Sequence, residues 1–317
     1  MYAAFVSQTL QDYPEFEILF GVADENDAAI PEIRKLRNQF PDTVIRLVVG
    51  SEAAANAKVG TLMLLAQHSR HAIWVVNDSD IRVPADYLRT VVAPLENAGV
   101  GVVTCLYRPE AFSAATAWEA LGIAIDFMPS TLVAQVVGVK EFGLGSTLCF
   151  RADDLRAAGG FEAIADYIAD DYQLASRIVH LGKSAHVSTC VVDTSLGDGG
   201  WGSVWRHQLR WARTIRNTKG AGFAGLVITH TGIWAAAAAL LGLWAVACTL
   251  LGFRILAAFS SGWLVIRLNR TPFAAALAPV WDLYAFAVWA MSYASNDVQW
   301  RDRKLKIERG GKLKRVN

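Results

Sequence analysis

Three short marks in this sequence are built from residues that can do chemistry. Asp78-Ser79-Asp80 follows the apolar run Ile73 to Val76, Asp170-Asp171 opens a helical stretch, and Gln208-Leu209-Arg210-Trp211 lies in a basic, aromatic segment. A D-x-D read as extended chain behind a strand leaves two carboxylates on one side, spaced to hold one hard cation and the diphosphate that the cation neutralises. Mg2+ or Mn2+ is the cofactor this implies, with Asp78 and Asp80 as its ligands. Acids at 170 and 171 offset the helix dipole. Because neighbouring helical residues point in different directions, one of the two can face a crevice as a general base. In this order, just ahead of a long uncharged stretch, the marks point to metal-bound nucleotide-sugar chemistry carried out against a membrane surface.

The elements that must hold these residues are legible as an alternation. Phe16 to Ala23, Val44 to Val49, Ile73 to Val76 and Val100 to Thr104 are short, branched and apolar, with helical patterns at Ala29 to Phe40 and Pro84 to Asn97. Strands alternating with helices predict an α/β domain whose parallel sheet is covered on both faces. Ligand groups collect at the carboxyl ends of such strands. Asp24 and Asp27 after the first strand can therefore converge with Asp78 and Asp80 after the third, or serve only as loop and cap acids. Farther on, Gly159-Gly160-Phe161 marks a tight turn and Tyr167 to Gly182 a helix. Trp201 to Asn217 is an amphipathic basic helix with tryptophans, of the kind that lies in a membrane interface.

Composition adds the membrane. Of 317 residues only 19% are charged, against an average of about 25%, and the mean hydropathy is +0.29. The 31 residues from Phe223 to Phe253 contain no Asp, Glu, Lys or Arg, more than the ~20 needed to cross a bilayer. Ile255 to Ile266 continue the run after Arg254, and Pro272 to Ala294 form a second block interrupted only by Asp282. Arg301 to Asn317 carries eight Lys or Arg against Asp302 and Glu308. That is the pattern of a cytoplasmic segment beside anionic lipid. Cys105, Cys149, Cys190 and Cys248 have no C-x-x-C spacing, so reduced thiols are expected, and neither a zinc site nor a disulfide framework. No cleavable leader is expected, since no basic region followed by an apolar one opens the chain.

Taken jointly, Asp24-Glu25-Asn26-Asp27, Asn56-Ala57-Lys58-Val59, Asp78-Ser79-Asp80-Ile81-Arg82-Val83, Tyr167-Ile168-Ala169-Asp170-Asp171-Tyr172 and Gln208-Leu209-Arg210-Trp211 resemble the ceramide glucosyltransferase family. Trp300-Arg301 with Gly310-Gly311 also fits, so the resemblance spans nearly the whole chain. The family includes bacterial hopanoid-biosynthesis glycosyltransferases, which Asp78 to Val83 and Val102 to Arg108 resemble closely. The resemblance implies a GT-A (Rossmann-like) α/β fold with a C-terminal α-helical membrane region, an inverting mechanism, a UDP-sugar donor and a lipid hydroxyl acceptor. It places donor binding on Asp24, Asp27, Asn56, Lys58 and Asp78, and the general base on Asp171 with Asp170 beside it. Gln208, Arg210 and Trp211 complete the catalytic set. Two departures stand out. The amino-terminal anchor and first strand of the family are expected to be missing ahead of Tyr2 to Gln11. The histidine that animal members carry in the segment matching Ala124 to Ser130 is absent.

The expected organisation is a catalytic domain over 1–200, an interfacial helix over 201–222, transmembrane helices over 223–296 and a basic cytoplasmic tail over 297–317. The catalytic domain would face the cytoplasm, so the crossings would be even in number, as two spans or as spans plus a re-entrant piece around Arg254 to Arg270. The reading is transfer of one sugar, glucose first, to the primary hydroxyl of ceramide, with no nucleic-acid partner. UDP-N-acetylglucosamine transfer to a hopanoid polyol, a processive polysaccharide synthase and an inactive membrane protein are the alternatives.

Overall fold

A computed structural model of the chain describes residues 1–268, 271–300 and 303–315. Arg270, Arg301, Asp302 and Asn317, named above, lie outside the described residues. In chain order the first elements are α1 (Tyr2–Thr9), β1 (Glu17–Val22), α2 (Ala29–Gln39), β2 (Val44–Val49), α3 (Ala57–Ala66), β3 (Ile73–Val76), α4 (Tyr87–Val92) and β4 (Val100–Glu110). Then come α5 (Ala114–Gly122), α6 (Met128–Val136), β5 (Leu148–Arg151), α7 (Ala152–Ala157), α8 (Asp170–Val179), β6 (Ser184–Ser195) and α9 (Trp201–Thr218). The chain continues through α10 (Gly220–Gly225), α11 (Thr231–Leu240), α12 (Trp244–Phe259), α13 (Thr271–Ala274) and α14 (Ala278–Ser292). It ends in β7 (Asp297–Trp300), β8 (Arg303–Ile307) and β9 (Leu313–Arg315). Two compact units result: Met1–Tyr107 with Val139–Thr194, and Arg108–Gly138 with Ser195–Asn317. Residues Arg108–Gly138 thus pack with the carboxy-terminal half, although the sequence places them inside a 1–200 domain.

In the first unit β1 and β2 pair in parallel, Glu17 opposite Val44 through Val22 opposite Val49. Helix α2 covers them because Ile30, Ile33 and Leu36 recur on one helical face and are buried with Phe5, Val22 and Ile45. The second sheet runs β3-β5-β4-β6, and here the all-parallel expectation fails: β5 is antiparallel to both β3 and β4. The cause is a four-residue strand inserted between its neighbours. Leu148, Cys149 and Phe150 are buried, and Leu148 and Phe150 pack with Val59, Leu174 and Ile178 of α3 and α8. Its two short apolar positions on either side of Cys149 carry no period that could set direction.

In the second unit Ser113 opens α5 with a capping box, its hydroxyl accepting from Thr116 N. Trp118, Trp205, Trp281 and Tyr284 form an aromatic cluster with ring centroids 5.2 to 5.9 Å apart. Gly122 is what lets Trp281 approach, since a Cβ there would lie 1.9 Å from the indole. Among the described residues two helical stretches are long and apolar enough to cross a membrane, Trp244–Val265 and Ala275–Ser292. At 1.5 Å per residue they reach about 33 and about 27 Å, close to the ~30 Å of a bilayer core. A third, Gly220–Thr229 with Thr231–Leu240, qualifies only as a pair bent by 51°. That bend lies earlier in the chain than Arg254 to Arg270, where one of the two arrangements read from the sequence puts a re-entrant piece.

The two charged interruptions of the apolar blocks answer one another. Arg254, near the middle of one span, donates through Nε and Nη2 to both carboxylate oxygens of Asp282 at 2.8 to 3.0 Å, and through Nη1 to Ile125 O at 3.2 Å. Asp282 is 1% exposed and also accepts from Gly232 N at 2.8 Å, at the start of α11. Charges in helices apolar enough to cross a membrane are expected to pair in this way. The carboxy-terminal segment, expected as a basic tail, folds instead as an antiparallel β7-β8-β9 sheet with Leu305 and Ile307 buried. Gly310 and Gly311, both at φ +87°, make its last turn, and Gly310 N donates to Asn217 O at 2.9 Å. Breaking one side of a buried ion pair costs about 3 to 5 kcal/mol. Arg254→Met should therefore lower unfolding stability in detergent by that order, with the double variant Arg254→Met/Asp282→Leu recovering part of the loss. A single variant as stable as the parent would contradict the role of this pair.

Candidate active site

The crevice acids of the first unit are drawn together by one lysine. Lys58 Nζ lies 2.7 Å from Asp78 Oδ1 and 3.2 Å from Asp170 Oδ2. It projects from the first turn of α3, which begins where it does because Asn56 caps it, Oδ1 accepting from Lys58 N at 3.0 Å and Val59 N at 3.3 Å. The amide of the same fully buried Asn56 donates to Tyr167 O at 2.8 Å and Asp170 Oδ1 at 3.4 Å. One side chain thus fixes the starts of α3 and α8 against each other, so the positive ends of both helix dipoles serve the same acidic cluster.

Asp171 completes the cluster. Its Oδ2 accepts from Gly145 N at 3.0 Å and its Oδ1 from its own neighbour Tyr172 N at 2.7 Å. Gly145 is wedged among the charges: a Cβ there would sit 3.1 Å from Asp78 Oδ2, 3.6 Å from Asp171 Oδ2 and 3.7 Å from Lys58 Nζ. The segment holding Gly145 is itself pinned by Asn77, whose amide donates to Ser146 O at 2.6 Å and to the hydroxyl of buried Tyr87 at 2.8 Å. That hydroxyl meets Thr147 Oγ1 at 2.9 Å.

Burial, then the adjacent Asp170 carboxylate, pushes the Asp171 carboxyl up to about 6, with Lys58 pulling the other way. Burial alone would lower the Lys58 ammonium, but Asp170, Asp78 and Asp171 outweigh it and hold it above the ordinary lysine value. Three ionised carboxylates against one ammonium leave two negative charges, matching a divalent cation. The Asp78 side chain is 45% exposed, so its outer oxygen remains accessible. Among the described residues no three His, Cys, Asp or Glu form a metal cage. Magnesium-type sites need none, since they use one or two carboxylates and take further oxygens from substrate phosphates and water.

The D-x-D itself is not extended. It turns, with Ile81 N donating to Asp78 O at 3.2 Å as Ile81 enters the core. Asp78 faces Lys58, whereas Asp80 accepts from Thr194 Oγ1 of β6 at 2.6 Å. Asp24 and Asp27 engage their own loop, Asp24 accepting from Asn26 N at 2.7 Å and Asp27 from Ala29 N at 2.9 Å. The structure thus brings Asn56, Lys58, Asp78, Asp170 and Asp171 into one network, and holds Asp24, Asp27 and Asp80 through other contacts.

Gln208, Arg210 and Trp211 belong to α9 in the second unit. Gln208 Nε2 donates to Glu119 Oε1 at 2.8 Å, and Trp211 packs against Phe127 and His207 with centroids 5.0 and 4.6 Å away. Phe127 thus occupies the segment where the resemblance places a histidine. Sequence reasoning missed Gly145 and Glu119. Phe142-Gly143-Leu144-Gly145-Ser146 was a visible glycine pair, and Glu119 with Asp126 are lone acids in the apolar run Ala114 to Phe127.

Comparison with known proteins bears on the fold and the family. A mannosyltransferase from Pyrobaculum calidifontis, solved with GDP-Man and Mn2+, superposes with a TM-score of 0.58 at 21% identity, over 92% of this chain and 81% of that one. The shared fold is GT-A-like. Ceramide glucosyltransferase 1 of Caenorhabditis elegans is 26% identical over 195 residues, 60% of this chain and 41% of the relative. The match therefore spans less than half the length of that curated relative. The profile of glycosyl transferase family 21 matches residues 1–313, and the chain belongs to that family.

Proposed function

We propose that the chain is an inverting hexosyltransferase that moves one sugar, glucose first, from a UDP-sugar to the primary hydroxyl of a membrane lipid, ceramide first. The observation that carries this reading is the convergence of Asp78, Lys58, Asp170 and Asp171 in a chain of glycosyl transferase family 21. Asp78 would hold Mg2+ or Mn2+, which when bound neutralises the diphosphate and makes it a better leaving group, while Asp80, turned to Thr194, does not share that ligand role. Asn56 and Lys58, with Asp24 and Asp27, bind the donor side. Asp171 takes the proton of the acceptor hydroxyl as that oxygen attacks the anomeric carbon and UDP leaves from the opposite face. Asp170 holds Lys58 and keeps Asp171 basic enough for the task. Arg210 offsets charge on the leaving phosphate, and Trp211 packs beside the acceptor, with Gln208 fixing the helix face that carries both.

A two-chain lipid does not leave the bilayer, so its headgroup must be met at the surface. The paired spans Trp244–Val265 and Ala275–Ser292 supply two crossings. With Gly220–Leu240 as a re-entrant pair, the catalytic residues and the basic carboxy-terminal segment share the cytoplasmic side. The absence of a histidine over Ala124 to Ser130, with Phe127 on Trp211 instead, favours a second reading: UDP-N-acetylglucosamine transfer to a hopanoid polyol.

General-base catalysis contributes typically ~10² to 10⁴-fold. Asp171→Asn is expected to lose transfer by that order while keeping metal-dependent UDP binding, and Asp78→Ala to lose the binding itself, read by titration with and without Mn2+. Normal turnover in the first or unchanged affinity in the second would sink the assignments. Because the base must be ionised, kcat/KM of the parent enzyme should climb as pH rises through about 6. A rate flat from pH 5 to 7 would speak against Asp171.

A further inference from the structure

Beside the Q-x-x-R-W residues stands a carboxylate-imidazole pair that the proposed reaction does not use. Glu119, on α5, is 3% exposed, and its Oε1 lies 2.7 Å from His207 Nδ1 and 2.8 Å from Gln208 Nε2. A carboxylate only accepts, so Nδ1 carries a hydrogen, and in the neutral ring the lone pair is then on Nε2. Among the described residues Nε2 has no hydrogen-bond partner. The His207 side chain is 29% exposed and stands edge-on to the Trp211 indole at 4.6 Å, with Phe127 across that indole at 5.0 Å. A fixed acceptor atom next to an indole suits a hydroxyl on a mostly apolar molecule. Helix α9 is followed in the chain, after the non-helical Lys219, by the apolar α10 and α11, so the hydroxyl-bearing molecule that meets it is a lipid headgroup rather than a soluble nucleotide.

Resting on the proposed function, we infer that His207, oriented by Glu119, is a specificity-determining residue on the acceptor side. Its Nε2 accepts a hydrogen bond from a lipid hydroxyl other than the one that receives the sugar. Trp211 covers the apolar part of the headgroup, and Glu119 acts through His207 and Gln208 as a positioning residue. A histidine serving only to satisfy buried Glu119 would give the same two hydrogen bonds, so the test must separate the two nitrogens.

His207→Asn keeps a donor for Glu119 but has nothing at the Nε2 position, whereas His207→Gln places an amide near Nε2 and gives up the Glu119 contact. The full-length protein in phosphatidylcholine mixed micelles is given ceramide, or 3-deoxyceramide, which keeps the primary hydroxyl and lacks the second. One net hydrogen bond is worth about 0.5 to 1.5 kcal/mol, or roughly 2- to 13-fold. His207→Asn is expected to raise KM for ceramide by that factor, leave kcat, the KM for UDP-glucose and the melting temperature unchanged, and leave 3-deoxyceramide unaffected. His207→Gln should recover part of the ceramide KM. Equal losses with both lipids, a raised donor KM or no change at all would overturn the role of His207. Equilibrium binding of the two lipids is measured alongside. A parent protein that transfers no sugar overturns the proposed function, while one that binds both lipids equally well overturns the inference about His207 alone.

Discussion

The ammonium of Lys58, between Asp78 and Asp170, is the contact on which the acidic crevice depends. Without a cation between them, carboxylates from a strand end and from a helix start would repel at close range in a partly desolvated site. With it, the cluster keeps a residual charge of −2, which a divalent metal can answer and a monovalent side chain cannot. The same arrangement explains why Asp170 and Asp171, adjacent in sequence, differ in behaviour. Asp170 is paired with Lys58 and Asn56, while Asp171 accepts hydrogen bonds from backbone donors and is raised by burial and then by its neighbour, with Lys58 pulling the other way. A carboxyl raised to about 6 is still ionised at neutral pH and is a stronger base than an ordinary aspartate.

Backbone placement follows from few side chains. Asn56 joins the starts of α3 and α8, and Asn77 with Tyr87 locks the turn that holds Gly145. In the second unit the equivalent role falls to charges in an apolar setting. Arg254 and Asp282 tie α12 to α14, and the same carboxylate caps α11 at the point where the preceding helix bends. Each ionic group is satisfied several times over, as a low-dielectric surrounding demands.

Much of both units was legible from period and composition. Ile30, Ile33 and Leu36 announce α2, Trp201 to Asn217 announces α9, and the uncharged stretch after Phe223 announces the apolar helices. What stayed hidden depends on contacts between residues far apart in sequence. The direction of β5 is set by its neighbours β3 and β4, which a four-residue apolar strand cannot encode. The turn at Asp78 to Asp80 comes from the burial of Ile81, so the two acids part company although their spacing alone put them side by side. Lys58 was reached through the family resemblance and not through its local sequence. Glu119 read as an isolated acid until α9 placed His207 and Gln208 against it, and the folded carboxy-terminal sheet was masked by its own high charge.

The central claim, transfer of a single sugar to a membrane lipid by the Lys58-held acidic cluster, is tested most directly by mass spectrometry of the lipid product. Membranes containing the full chain are incubated with UDP-glucose or UDP-N-acetylglucosamine, with ceramide or a hopanoid polyol supplied, and with Mn2+ present. The account predicts a lipid heavier by one hexose or one N-acetylhexosamine, formed with one donor in preference to the other. A polymer of the sugar, or no glycosylated lipid with either donor, would contradict it.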